Sequence, residues 1–230
     1  MTTRRPRWRT FVDPDHLAAA AARRMLRAAD RAIAARGGFH LVLAGGRTPL
    51  AIYARLARER AQWRHWHLYF GDERWLPAGH PGRNETAIRR AWLDLVAIPP
   101  TQIHAIPTLA DPALAAARYR SLLKRVPLFD LALLGLGADG HTASLFPGHD
   151  ALGEPVLVVR DAPRPYPLRI SLGVERLRCS RQLLFLVTGT GKRAAVAAWQ
   201  GGDALPAARV AAGHPHVSVL LDIAADPRSG

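Results

Sequence analysis

The stretch Leu128-Phe129-Asp130-Leu131-Ala132-Leu133-Leu134-Gly135-Leu136-Gly137-Ala138-Asp139-Gly140-His141-Thr142 decides how the rest of the chain is read. Leu128 to Leu134 is a short, mainly apolar run without the polar alternation of a half-exposed strand, which predicts a strand buried on both faces. Glycines follow it at once, so the run opens directly into a loop. The same grammar recurs at Phe39–Ala44, His67–Phe70, Ile103–Ile106, Val156–Val159, Leu183–Val187 and Val217–Leu221.

Helical patterns separate these runs. Asp13-Pro14 reads as an N-cap with proline at the first helical position. Leu17, Ala21, Met25, Ala28 and Ala32 then recur at helical spacing until Gly37-Gly38 stops the helix. Further helices are predicted from Pro49 to about Arg60, Asn84 to Asp94, Asp111-Pro112 to about Lys124, and Gly191 to Trp199. Strands without alternation, separated by helices, imply an α/β fold. The sheet should be mainly parallel and covered by helices on both faces, doubly wound and Rossmann-like. Ligands in such sheets sit at the carboxyl ends of strands, so the loops after the strands carry the functional weight.

The chain has 230 residues, 49% hydrophobic and 22% charged, enough to bury a core without disulfides or metal. One α/β domain over residues 1–230 is expected, with residues 1–10 a flexible basic terminus. Cys179 is the only cysteine, and no Cys/His cluster has zinc spacing. No apolar run approaches the ~18 residues that span a bilayer. The basic start followed by Leu17 to Ala22 imitates a secretory signal. Asp13, Asp15 and Arg23-Arg24 interrupt it, and the stretch reads as a first helix. A cytoplasmic location and a monomer or weak homodimer are expected.

A net charge of +14 raises the question of nucleic acid or a membrane surface. All but two of the 32 basic residues are arginine, the exceptions being Lys124 and Lys192. Many lie on the polar faces of alanine-rich helices (Arg23, Arg24, Arg27, Arg31, Arg36), and the set reads as dispersed. Arg/Ala bias along a whole chain resembles genomic base composition more than a built patch. No nucleic-acid-binding motif accompanies the charge.

Four loops hold chemistry. Gly45-Gly46-Arg47-Thr48-Pro49 follows a strand and opens a helix, with Thr48 as the expected cap. Free N–H groups there, beside the Arg47 guanidinium, form an anion cradle. The plainer alternative is a tight turn that needs glycine for geometry alone. Gly71-Asp72-Glu73-Arg74 offers two carboxylates, Asp72 and Glu73, and the Arg74 guanidinium to orient sugar hydroxyls and stabilise developing negative charge, or merely a surface ion pair. The third loop contains G-x-G-x-x-G at Gly135, Gly137 and Gly140. A dinucleotide site needs a long helix next, and Pro147-Gly148 forbids one. What remains presents Asp139 beside His141, a base whose tautomer a carboxylate can fix. The last loop, Thr188-Gly189-Thr190-Gly191-Lys192, is not a Walker A motif, but Lys192 at a helix start reads as a phosphate contact. Ser144 and Cys179 lack a nucleophile elbow or an evident base.

With these loops in this order, the sequence resembles the 6-phosphogluconolactonase family, which shares a fold with glucosamine-6-phosphate deaminases. The resemblance runs from about Phe11 to Ala225. It rests on Leu43–Pro49, on Gly71–Arg74 with His80-Pro81 and Asn84, on Gly137–Gly148, and on Val187–Lys192. Asp-Gly-His-Thr-Ala-Ser-Leu-Phe-Pro is its most specific stretch. The resemblance implies hydrolysis of 6-phosphoglucono-δ-lactone to 6-phosphogluconate in the oxidative pentose phosphate pathway, without metal or organic cofactor. It implies His141 as general base, Asp139 as its orienting partner, and Arg74 near the carbonyl oxygen. Gly45, Gly46, Arg47, Thr48 and Lys192 would hold the 6-phosphate, and Arg169 would help bind the anionic end of the substrate.

Two positions depart from the family's habit. Gly82-Arg83 stand where small acidic and hydroxyl residues are common, and Arg47 where serine is frequent. One rival is a sugar-phosphate deaminase, with Asp72 moving the C2 proton. Deaminases carry a glutamate five residues after the loop histidine and a tyrosine at the Arg74 position. Here Phe146 and Arg74 stand instead, which favours lactone hydrolysis. The other rival is a non-catalytic sugar-phosphate sensor, which leaves Asp139 and His141 unexplained.

Overall fold

The structure, a computed structural model, describes residues 5–126, 128–148 and 153–229. In chain order the elements are β1 (Arg7–Phe11), α1 (Pro14–Arg36), β2 (Phe39–Leu43), α2 (Arg47–Leu56), β3 (Trp66–Phe70) and β4 (Asp72–Arg74). There follow α3 (Asn84–Ala91), β5 (Ile103–His104), α4 (Pro112–Leu123), β6 (Leu131–Gly135), β7 (Val156–Val159) and β8 (Arg169–Leu172). The chain continues through α5 (Val174–Arg178), β9 (Leu183–Val187), α6 (Arg193–Gly201), α7 (Pro206–Ala211) and β10 (Val217–Asp222).

Seven strands form one parallel sheet in the order β1-β10-β9-β6-β2-β3-β5. The apolar blocks read from the sequence are its central strands, and β6, β9 and β10 are buried almost throughout. Helices cover both faces. On one, Trp66 of β3 meets Trp63 and Trp92, and Tyr53 of α2 stacks on Trp92. On the other, Trp199 of α6 sets its edge against Phe185 of β9, and Phe129 lies against Tyr69 of β3. The expected α/β architecture is therefore present, with one large hydrophobic core and a small satellite cluster of Phe146, Val159 and Ala162.

α1 illustrates how local chemistry sets the elements. The Asp13 carboxylate accepts the His16 N–H at 2.8 Å, Pro14 begins the helix, and Gly37 ends it at φ 77 with its N–H bonded to Ile33 O. Its buried stripe is mostly alanine around Leu17 and Met25, so the helix approaches the sheet closely and leaves its arginines outside.

Two expectations are corrected. Residues 1–10 are not a flexible terminus throughout: Arg7–Phe11 form β1, paired in parallel with β10. Arg-Trp-Arg-Thr-Phe alternates with period two, so Trp8 turns inward onto Trp199 at 5.1 Å while the arginines face out. Residues 1–4 lie outside the described residues. The second correction concerns β7, which was counted with the main strands. It belongs instead to a separate three-stranded antiparallel sheet, β4-β8-β7, together with Asp72–Arg74, expected as loop. An apolar run of four residues does not reveal which sheet will accept it.

One side-chain cluster lies away from the strand ends. His40, His67 and His104, on β2, β3 and β5, stack in a row with ring centroids 4.8 and 5.9 Å apart, and Tyr69 stacks on His104 at 4.5 Å. Among the described residues, no helix is long and apolar enough to cross a membrane.

Candidate active site

The carboxyl ends of β2, β3, β6 and β9, together with β4 and β8, surround a cavity of about 570 Å³. It lies where the chain order reverses across the sheet, between β2 and β6, the place such folds keep for ligands. Gly45, Gly46, Arg47, Thr48, Asp72, Arg74, His141, Arg169 and Lys192 all line it. Asp139, the remaining candidate, stands behind His141.

The β2 loop leads straight into α2. Gly46 is the residue before the helix and Thr48 lies in its first turn, which corrects the expected Thr48 cap. The Thr48 hydroxyl instead shares a 2.6 Å hydrogen bond with the Thr188 hydroxyl, tying the first loop to the last. The first turn of α2 thus keeps backbone N–H groups turned toward the cavity, beside the exposed Arg47. Gly45 is required by close approach, because a Cβ there would run into the Asn84 carboxamide. Lys192 ends the turn Thr190–Lys192 just ahead of α6. Asp222, at the end of β10, accepts the Gly189 N–H at 3.0 Å and fixes that turn.

After β6, residues 136–148 run as turns and irregular loop rather than a helix. Gly137 and Gly140 close a tight turn, Gly140 N–H to Gly137 O at 3.1 Å, and the His141 ring packs over Gly137 so closely that a Cβ there would collide with it. The Asp139 carboxylate accepts the His141 backbone N–H at 3.1 Å and pairs with ring Nδ1 at 2.5 Å. Burial pushes the Asp139 carboxyl up, but the His141 N–H, charge and ring bond outweigh it and hold the group below its ordinary value. An ionised Asp139 on Nδ1 leaves Nε2 as the nitrogen able to accept a proton. Phe146 braces the ring at 4.7 Å between centroids. Ala143, at φ 49, holds a left-handed backbone that costs a non-glycine residue of order 1 kcal/mol.

The charged groups of the second sheet complete the cavity. Arg74 donates to Gly82 O at 2.6 Å, and among the described residues its Nε has no partner. Arg169 is held by Tyr166 O at 3.0 Å and lies over the Phe146 ring at 5.4 Å. Burial lowers the Arg169 pKa; the Asp72 charge opposes this, and that of Arg74 adds to it. Asp72 lines the cavity, yet it accepts the Ser144 hydroxyl at 2.6 Å and the Asn84 amide at 3.2 Å.

Glu73 and Arg83 lie behind this wall. Glu73 is 2% exposed and accepts the N–H groups of Arg74, Asn84 and Glu85 at 2.8, 2.7 and 2.9 Å, pinning the start of α3. Burial pushes its carboxyl up, against those donors and the Arg83 charge. Arg83 is 1% exposed and spends itself on Leu76 O, Thr108, Ile106 O and Glu85. It is a buried strut rather than a ligand contact. Asn84, Thr188 and Asp222 also line the cavity and were not singled out as site residues. Asp222 left a legible signal, a carboxylate closing an apolar strand. Among the described residues, no three His, Cys, Asp or Glu side chains gather as a metal ion would need.

Residues 12–219 match the family described as glucosamine-6-phosphate isomerases/6-phosphogluconolactonase. The chain belongs to this family. Among relatives, the 6-phosphogluconolactonase of Streptomyces coelicolor is 39% identical over 236 residues, covering 93% of this chain and 90% of its own. That of Mycobacterium tuberculosis is 38% identical over 232 residues, covering 92% and 94%. The solved 6-phosphogluconolactonase of Thermotoga maritima superposes with a TM-score of 0.87 at 25% identity, over 95% of this chain and 99% of that one.

Proposed function

We propose that this protein hydrolyses 6-phosphoglucono-δ-lactone to 6-phosphogluconate, with His141 as general base. The observation that carries the reading is the Asp139–His141 pair opening onto the same cavity as Arg47, Lys192 and the first turn of α2. A base and an anion cradle lining one cavity suit a sugar with its reacting carbon at one end and a phosphate at the other.

The 6-phosphate lies against the α2 N-terminus and the Gly45-Gly46 backbone, with Arg47, Thr48 and Lys192 around it. Water attacks the C1 carbonyl as His141 Nε2 takes its proton, and the carbonyl oxygen becomes an oxyanion facing Arg74. Arg169, beside it, holds the anionic end of the sugar, and Asp72 orients a hydroxyl. Collapse breaks the C1–O5 bond, His141 returns the proton to O5, and the open acid leaves as 6-phosphogluconate. Asp139 positions the ring and stabilises its charged form. Phe146 packs on His141 where ring opening by a deaminase would call for an acid relay. We assign residues 1–230 to one α/β domain that acts in the cytoplasm without a cofactor, as a monomer or weak homodimer.

The test is a coupled assay. Lactone generated in situ from glucose 6-phosphate is followed above its spontaneous opening, with wild type and His141→Ala side by side. Acceleration that vanishes in the variant is expected. Wild type no faster than the spontaneous rate would overturn the assignment and make glucosamine 6-phosphate the next substrate to try.

A further inference from the structure

Ala20, Arg23, Arg24, Arg27 and Arg31 follow one another along α1 at spacings that place them on one helix face. Arg7 and Arg9 are two apart on β1 and so point to one side of the sheet. The fold brings the two sets together. At the β1 edge, Arg7, Arg9, Arg23, Arg24, Arg27 and Arg31 wall a cavity of about 580 Å³. It shares no lining residue with the strand-end cavity. These arginines, read from the sequence as dispersed, converge.

No carboxylate lines this groove among the described residues. Half-buried Arg24 donates to Gln182 Oε1 at 3.2 Å, and its pKa is lowered first by burial and then by the charges of Arg31, Arg27 and Arg7. A guanidinium does not deprotonate in a protein, so gathered positive charge draws anions from solution rather than being relieved by titration. Elsewhere the molecule supplies the anion itself. Just beyond Arg31 and Gln182, Asp130 takes Arg36 at 2.5 Å and Arg181 at 3.5 Å. Among the described residues, no carboxylate gives that answer within the groove.

The choice of arginine narrows the anion. Its planar fork matches phosphate oxygens in pairs, where lysine offers a point charge. Arg23 to Arg31 spans roughly 12 Å at 1.5 Å per helical residue, a reach suited to a short run of linked phosphates. We propose that this groove is a second anion site, separate from the sugar-phosphate cavity, that binds a compact ligand carrying several linked phosphate groups. The site does not depend on the lactonase reading, since no catalytic candidate lines it.

Calorimetric titration of the intact protein with inorganic triphosphate, at about 50 mM salt where screening is modest, tests it. A triphosphate-binding event is expected that Arg24→Gln/Arg27→Gln weakens at least about tenfold and Lys192→Ala leaves unchanged, distinct from any binding in the strand-end cavity. Arg7→Gln/Arg9→Gln, on the strand wall, should weaken it similarly without touching the helix. Lactone hydrolysis should keep its wild-type rate in both double variants. Binding lost in Lys192→Ala but kept in both double variants would place the anion in the other cavity and overturn the proposal. So would citrate binding as tightly as triphosphate, or a short single-stranded oligonucleotide binding more tightly than either.

Discussion

Arg74 and Arg169 stand directly opposite one another across the antiparallel pair of β4 and β8, and both line the strand-end cavity. Like charges in facing cross-strand positions oppose pairing rather than help it. Their alignment is intelligible if an anion, or an oxygen gaining negative charge, comes between them. Arg74→Met should therefore lower kcat by about 10²–10³-fold, the usual weight of one donor to a developing oxyanion. Tm should move by no more than about 2–4 °C, since the lost bond to Gly82 O is offset by relief of repulsion. A collapse in Tm with near-normal turnover would make Arg74 a structural residue.

His141→Asn should reduce kcat roughly 10²–10⁴-fold with KM little changed, because the base acts on water and not on the sugar. Asp139→Asn should give a smaller loss, since the ring remains but its orientation and its charged form lose support. The measurement is initial rate above spontaneous opening at several substrate concentrations. Full activity in His141→Asn would remove it from the chemistry.

Lys192→Ala should mainly raise KM for the phosphorylated lactone and leave hydrolysis of unphosphorylated δ-gluconolactone as it was. Parallel assays of both substrates decide it. An equal effect on the two would remove Lys192 from phosphate binding.

The stacked histidines predict an acid limit to stability. Burial first, and then the charges of His67 and His40, push His104 down from 6.5 to about 4. His40 and His67 are lowered in the same direction, chiefly by burial. The unfolded chain then binds protons more readily than the folded one, so stability is full above about pH 6.5 and is lost as pH falls toward 4. Melting curves at pH 7.5 and 4.5 should show the acid drop in Tm reduced by about 2–4 °C in His104→Gln. An unchanged drop would mean the row of rings plays no part in it.

Gly45→Ala should impair both folding and turnover, because its Cβ would displace Asn84, which bonds Asp72. Thermal melting and kcat should fall together. Normal values for both would show that Asn84 can move aside.

Buried parallel strands write themselves into local sequence, since every residue of Leu183–Val187 or Val217–Leu221 is apolar or small regardless of its neighbours. The loops that follow them carried the cavity residues for the same reason: topology puts all carboxyl ends on one side. Other features depend on partners distant in sequence and left little local trace. β4 is three residues long and exists because β8 pairs with it. Glu73 reads as one of two carboxylates facing sugar hydroxyls until burial shows it holding the start of α3, and nothing local announces that Arg83 braces the loop before it. β1 was hidden by its arginines, whose alternation with Trp8 and Thr10 matters more than their charge.

That first strand has a kinetic meaning as well. Among the described residues β1 pairs only with β10, and Thr10 donates to Asp226 at 2.6 Å across 216 positions of chain. During synthesis β1 has no partner until residues near 217–226 have been made. The central strands can assemble while it waits, and the edge closes afterwards as the slow, long-range step. The arginine groove, walled by β1 on one side, is thus finished after the catalytic loops have their strands in place. A ribosome stalled before β10 would hold a chain with most of its catalytic loops but an open, arginine-rich arm.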